Sequence, residues 1–241
     1  MMNMQSTEPT EPTERALTTG MVDAVIRSRK TIRAFRPDAV SKRLVAEILQ
    51  LAGTAPSNSN TQPWKVHVLT GEPKRALGQA VLQAYEGNQV PPFAHFPDPL
   101  PDACMRRQGD YALRYYRALG IDRDDIAARA RQTGRNFLFF DAPVGLIFTI
   151  DARLKKHSWL DYGLFVQTLM LAATARGLAS CPQVSFARYQ PVIAEYLDLP
   201  ANEIVVCGMS LGYADERAAV NQLNMPREPA EAFTHWLGFE D

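Results

Sequence analysis

The sequence predicts an α+β fold, a modest mixed central sheet flanked by helices. Helical stretches outnumber strand-like ones along the chain. The strand-like runs, at 64–70, 143–151 and 203–210, are scattered between helices. At 241 residues, 46% hydrophobic and 22% charged, the chain is long and apolar enough to bury a sizeable core.

Residues 1–17, MMNMQSTEPTEPTERAL, hold a short T-E-P repeat with little to bury and are expected to be disordered, leaving 18–241 as a single domain. A short helix over about 20–28 leads into S-R-K-T-I-R-A-F. Ser41 then precedes the apolar-periodic set Leu44, Val45, Ile48, Leu49 and Ala52, the pattern of an N-capped amphipathic helix that stops at Gly53. Residues 54–63 are all turn formers, and 64–70 alternate like a strand. Pro73 can open a helix reaching about residue 86. Five prolines between Gly87 and Asp102, mixed with Phe93 and Phe96, predict a long lid-like loop.

Tyr111–Gly120 and Asp122–Phe140 read as helices, and the unbroken apolar run 143–151 as a fully buried strand. Ser158 and Asp161 suggest a capping box at the start of a hydrophobic helix over 158–176, which Gly177 ends. A loop at 178–186, a helix at 187–197, a strand at 203–210 and a polar tail at 213–235 complete the reading.

Lys and Arg total 26, as do Asp and Glu, and the two signs interleave. Such a surface offers no footprint for nucleic acid or anionic lipid. The apolar runs near 143–150 and 163–175 fall short of the roughly 18 residues of a membrane span, and no apolar signal core opens the chain, so a cytoplasmic location is expected. Three cysteines without C-x-x-C spacing, Cys104, Cys181 and Cys207, read as small buried hydrophobes in a reducing compartment. The four histidines are spread singly, and no metal site is expected.

Against this even background, Arg27, Arg29, Lys30 and Arg33 crowd into seven residues, with Arg36 just beyond. A solvated helix end would account for them; so would a phosphate site, in which arginine forks and the Thr31 hydroxyl surround an anion. The stretch Ala55–Trp64 supplies six consecutive uncharged polar residues, which suit the polar edge of a planar heterocycle better than a plain turn. Gly208-Met209-Ser210-Leu211-Gly212 matches the serine-hydrolase elbow G-x-S-x-G. That motif must open a helix and be followed by an acid and a base on later strands, whereas only Asp215, His235 and a polar tail remain, so a close-packed strand end is expected instead. No G-x-G-x-x-G follows a strand.

Five motifs occur in one order across nearly all of 21–239: R-S-R-K-T-I-R-A-F, A-P-S-N-S-N-T-Q-P-W, W-L-D-Y-G, G-L-A-S-C-P-Q, and G-Y followed downstream by R-E-P. Together they resemble the FMN-dependent nitroreductase family. The proline-rich loop, R-R-Q-G-D-Y-A-L and N-F-L-F-F-D-A-P-V-G-L are similar to a bacterial subgroup that includes reduction of a nitrobenzoate among its activities. The resemblance implies a domain-swapped homodimer with two FMN sites at the subunit interface. In it, Arg29, Lys30, Thr31 and Arg33 hold the ribityl phosphate and the pyrimidine side of the flavin, and Arg227 reaches the same phosphate. Pro56, Ser57, Asn58, Asn60 and Gln62 of the other subunit line the isoalloxazine, while Pro182, Gln183 and Val184 present backbone near the flavin N5. One departure stands out: the family usually carries a second basic residue just before that last arginine, where this chain has Asn224-Met225-Pro226.

The implied activity is ping-pong. NADH or NADPH reduces FMN and leaves, and a nitroaromatic then takes hydride through the nitroso to the hydroxylamine, with no protein nucleophile. The substrate wall falls in 90–116, where Phe93, Tyr111, Tyr115 and Tyr116 can stack and Arg107 or Arg106 can meet a carboxylate. Two alternatives remain at this point: a reductive dehalogenase or other flavin enzyme of the same fold, and a non-catalytic flavin-binding or redox-sensing module.

Overall fold

The computed structural model describes residues 12–90 and 96–239. Helix α1 (Pro12–Ser28) starts ahead of the expected 20–28. In α2 (Lys42–Ala52), the Ser41 hydroxyl accepts from the Leu44 N–H as the sequence predicts, a cap that contributes about 1 kcal/mol. Strand β1 (Lys65–Thr70) runs directly into α3 (Gly71–Glu86). Helix α4 (Asp102–Ala118) begins nine residues before the expected Tyr111, immediately after the last proline of the loop. Its first turns, Met105 apart, are polar or small, so they give no apolar period to read.

Helix α5 (Ile126–Gly134) ends six residues short of the expected Phe140. Phe137, Phe139 and Phe140 are all buried. A helix would turn residues two apart to opposite sides, and Phe139, Phe140 and Asp141 instead take left-handed backbone with φ of 55°, 48° and 64°. Strand β2 (Val144–Asp151) is the buried strand expected. In α6 (Lys156–Thr174) the N-cap position is Lys155, not the Ser158/Asp161 box. Gly177, at φ 73°, closes that helix as predicted. Strand β3 (Ala179–Gln183) replaces the expected loop at 178–186; Pro182 hides it from propensity, yet β3 is an edge strand, where a missing N–H is tolerated. Helix α7 (Gln190–Leu197) and β4 (Glu203–Gly212) follow.

The strands pair antiparallel in the order β1-β2-β4-β3. Helices α2 and α6 cover one face, burying Ile48, Phe165 and Leu169 against Leu146, Phe148, Met209 and Leu211. On the other face Leu77 and Val81 of α3 and Ile193 of α7 pack with Phe139, Phe186 and Ile147. A bulge opposite Phe148/Thr149 switches the alternation of β4, so Val205 faces the second layer and Cys207 the first. Gly208 has no side chain because Phe186 lies where one would be: a Cβ would sit 2.4 Å from its ring. No helix among the described residues is long and apolar enough to cross a membrane.

Candidate functional site

The chain leaves α1 at Ser28 and runs extended through the cationic residues. Its backbone is pinned on two sides. The Ile32 N–H donates to Ser180 O of β3 at 3.0 Å, and Arg36 N–H to Tyr213 O at 2.9 Å, just past β4. The Asp215 N–H donates back to Ala34 O at 3.0 Å. Cationic side chains therefore stand on a fixed backbone at the open edge of the sheet. The start of α4 and the segment 220–228 close around them, enclosing a cleft of about 1010 Å³, at the upper end of small-molecule pockets.

Seven cations line this cleft, Arg27, Arg29, Lys30, Arg33, Arg106, Arg107 and Arg227, against two carboxylates, Asp110 and Glu228. Both carboxylates are engaged: Arg114 binds Asp110 at 2.8 Å and Arg107 binds Glu228 at 3.1 Å. Arg29, Lys30 and Arg33 form no ion pair among the described residues. In a chain of zero net charge, such an excess in one concavity needs an anion to offset it. Planar guanidinium forks, one ammonium and the Thr31 hydroxyl form a donor set that fits a phosphate ester. Arg227 meets the others despite its distance in sequence, its Nη1 also donating to Met225 O and Pro226 O at 3.2 and 3.0 Å.

The other flavin candidates stand apart from this cleft. Pro56, Asn58, Asn60 and Gln62 are exposed, Ser57 is half-buried, and none lines the cleft of its own chain. Their loop is shaped in advance. Ser59, Asn60 and Gln62 hold left-handed backbone, and the Ser57 hydroxyl accepts from the Gln62 N–H at 3.0 Å. Pro182 and Gln183 end β3, and Val184 opens the helical turn that follows it. Val184 is exposed, whereas the Gln183 side chain is buried, donating to Asn136 O and lying 2.9 Å from the Ser210 hydroxyl.

Among the substrate candidates, Phe93 lies outside the described residues. Tyr111 lines the cleft, half-buried. Tyr115 is buried and stacks on Tyr111 with centroids 5.5 Å apart; its ring faces Arg33. Burial pushes both phenols up, so they stay neutral at physiological pH. Arg129 lies over the Tyr116 ring. Arg106 and Arg107 line the cleft. Cys181 and Cys207 are buried, which raises their thiols to about 11 and about 12, while Cys104, expected to be buried, is exposed. Ser210 is not an elbow: it lies inside β4, fully buried, its Oγ 2.8 Å from Phe139 O.

A family model described as "Nitroreductase family" matches residues 26–213. The chain belongs to the nitroreductase family. It is 56% identical over 225 residues to a 4-nitrobenzoate reductase of Pseudomonas putida, covering 93% of this chain and 99% of the relative. It is 44% identical over 223 residues to a chloronitrobenzene nitroreductase of Comamonas testosteroni, covering 91% and 98%. The crystal structure of the FMN-dependent nitroreductase NfnB from Mycobacterium smegmatis in complex with NADPH superposes with a TM-score of 0.87 at 34% identity, covering 91% of this chain and 99% of that one.

Three residues that shape this candidate site carry no site role in the sequence reading. Asn221 is buried, and its side chain clasps the backbone at Arg33 and Ala34. Gln132, buried on α5, donates to the Tyr115 hydroxyl at 2.8 Å. Asp161, read as part of a cap, instead accepts from the Asn58 N–H at 3.1 Å and so fixes the 57–62 loop. Its position in W-L-D-Y-G was a visible signal; Asn221 and Gln132 carried none.

Proposed function

We propose that this nitroreductase binds FMN and uses NADH or NADPH to reduce nitroaromatic compounds, nitrobenzoates among them, to hydroxylamines. The observation that carries the reading is the gathering of Arg29, Lys30, Thr31, Arg33 and Arg227 around one cleft, where none of these four cations forms an ion pair among the described residues. Family membership and the nitrobenzoate and chloronitrobenzene relatives support it. When bound, FMN supplies the hydride chemistry. Arg29, Lys30, Thr31 and Arg227 would hold its phosphate, and Arg33 would set a positive charge beside the pyrimidine ring, where negative charge gathers on reduction. Arg106 or Arg107, in the cleft lining, would draw in a substrate carboxylate.

The working unit in this reading is a domain-swapped homodimer, because the exposed 56–62 loop and the cleft stand apart within one chain. Exposed apolar side chains support it: Met21, Val22 and Ile26 on α1, Trp159, Leu160 and Leu164 on α6, and Phe233, Trp236 and Leu237 on an arm without regular strands. The direct test mixes the purified protein with 4-nitrobenzoate and each nicotinamide under air. Nicotinamide oxidation matched by hydroxylaminobenzoate is expected. A protein that stays colourless after FMN addition, or oxidises neither nicotinamide, overturns the reading.

A further inference from the structure

Among the described residues, Arg33 is held without being neutralised. Its guanidinium carbon lies 5.1 Å from the centroid of the Tyr115 ring and 5.6 Å from that of Tyr111, and these two rings are stacked within 14° of parallel. A carboxylate would restrain an arginine equally well but would cancel its charge toward an incoming anion. Aromatic faces attract the cation and leave that charge available. The bracket is itself fixed from behind. Tyr115 is 6% exposed, and the Gln132 amide, 7% exposed, donates to its hydroxyl at 2.8 Å. A buried amide is costlier to place than an aliphatic side chain unless it is hydrogen-bonded, and this bond gives Gln132 its purpose.

We propose that Tyr115, fixed by Gln132 and stacked on Tyr111, is a positioning residue that sets where the Arg33 guanidinium stands. Through it the α4–α5 pair governs how tightly the cofactor is held and at what potential it is reduced. The proposal rests on the reading that Arg33 faces the flavin. An arginine loses substantial rotamer freedom when it meets a ligand, and a pre-formed bracket removes part of that loss before the ligand arrives.

The test is a double-mutant cycle on the holoenzyme, reading FMN release by fluorescence on dilution, together with the flavin midpoint potential. Tyr115→Leu is expected to weaken FMN about fivefold, the scale of one solvent-accessible cation–π contact, and to make the potential more negative. Tyr115→Phe keeps the ring and restores most of both. In an Arg33→Ala background Tyr115→Leu adds less than about twofold, because the residue it positions is gone. Equal effects of Tyr115→Leu with and without Arg33 mean a structural role only and overturn the proposal. If Arg33→Ala leaves affinity and potential unchanged, the placement of Arg33 at the flavin falls first and takes the bracket with it. Should Tyr115→Leu fail to fold, the half-buried Tyr111→Leu runs the same cycle.

Discussion

The side-chain oxygen of Asn221 accepts a 2.9 Å hydrogen bond from the backbone N–H of Arg33, across 188 positions of sequence. Its amide nitrogen donates to Ala34 O at 2.8 Å and Asp215 O at 2.9 Å. One buried side chain therefore joins the cationic segment to the stretch after β4 that carries Arg227 to the cleft. Asn221→Leu strands an N–H and weakens the support of two carbonyls. A loss of about 2 kcal/mol in stability and of about tenfold in FMN affinity is expected. Thermal melts with flavin fluorescence check both, and unchanged FMN binding would show that the clasp does not shape the site.

The cleft cations are expected to act unequally. Arg29 pairs with no carboxylate among the described residues, so Arg29→Ala is expected to remove a charge-assisted hydrogen bond to phosphate and to weaken FMN by about ten- to a hundredfold. Arg227 divides its donors between the cleft and two carbonyls of its own loop, so Arg227→Ala costs less. The absorbance ratio of flavin to protein after purification reads both. Full retention of yellow cofactor in Arg29→Ala would refute the phosphate assignment.

Most of this architecture was legible where a local cause dominates. Ser41 capped its helix, Gly177 ended another, and the apolar run at 143–151 became the central strand because its neighbours bury both faces. What the sequence hid has long-range causes. Pro182 disguised β3, whose edge position makes the proline harmless. The three phenylalanines of 137–140 broke a helix because all must enter the core. The cationic run was visible, but Asn221 and Gln132 are ordinary polar residues until folding places a backbone N–H or a tyrosine hydroxyl beside them.

Stability at acid pH is expected to depend on Glu203. This buried carboxylate, at the start of β4, accepts from Lys65, from Thr149 and, at 3.2 Å, from His67. Burial alone would raise it, but the hydrogen bonds from Lys65, Thr149 and His67 outweigh burial and hold it below its ordinary value of 4.5. The folded state thus binds its proton less readily than the unfolded chain. The stabilisation is complete above about pH 4.5 and is lost as pH falls through the lowered folded value. Glu203→Gln should cost about 2 kcal/mol near neutrality and progressively less below pH 4.5. Urea unfolding of both proteins across pH 3–7 measures this, and a difference that stays constant through that range would contradict the assignment.

The exposed face of α6 carries the last prediction. Leu160 is 65% exposed and Leu164 sits one turn further along the same helix, beside Trp159. A chain that left this face, α1 and the terminal arm in water would expose clusters of large apolar side chains on three segments. Leu160→Glu with Leu164→Glu places two like charges where a second copy is expected. Sedimentation should then report a monomer, and the flavin should be lost along with the partner's 56–62 loop even though every cleft cation remains. Loss of the dimer with FMN fully retained would show that one chain suffices for the cofactor, and would remove the shared site from the functional reading.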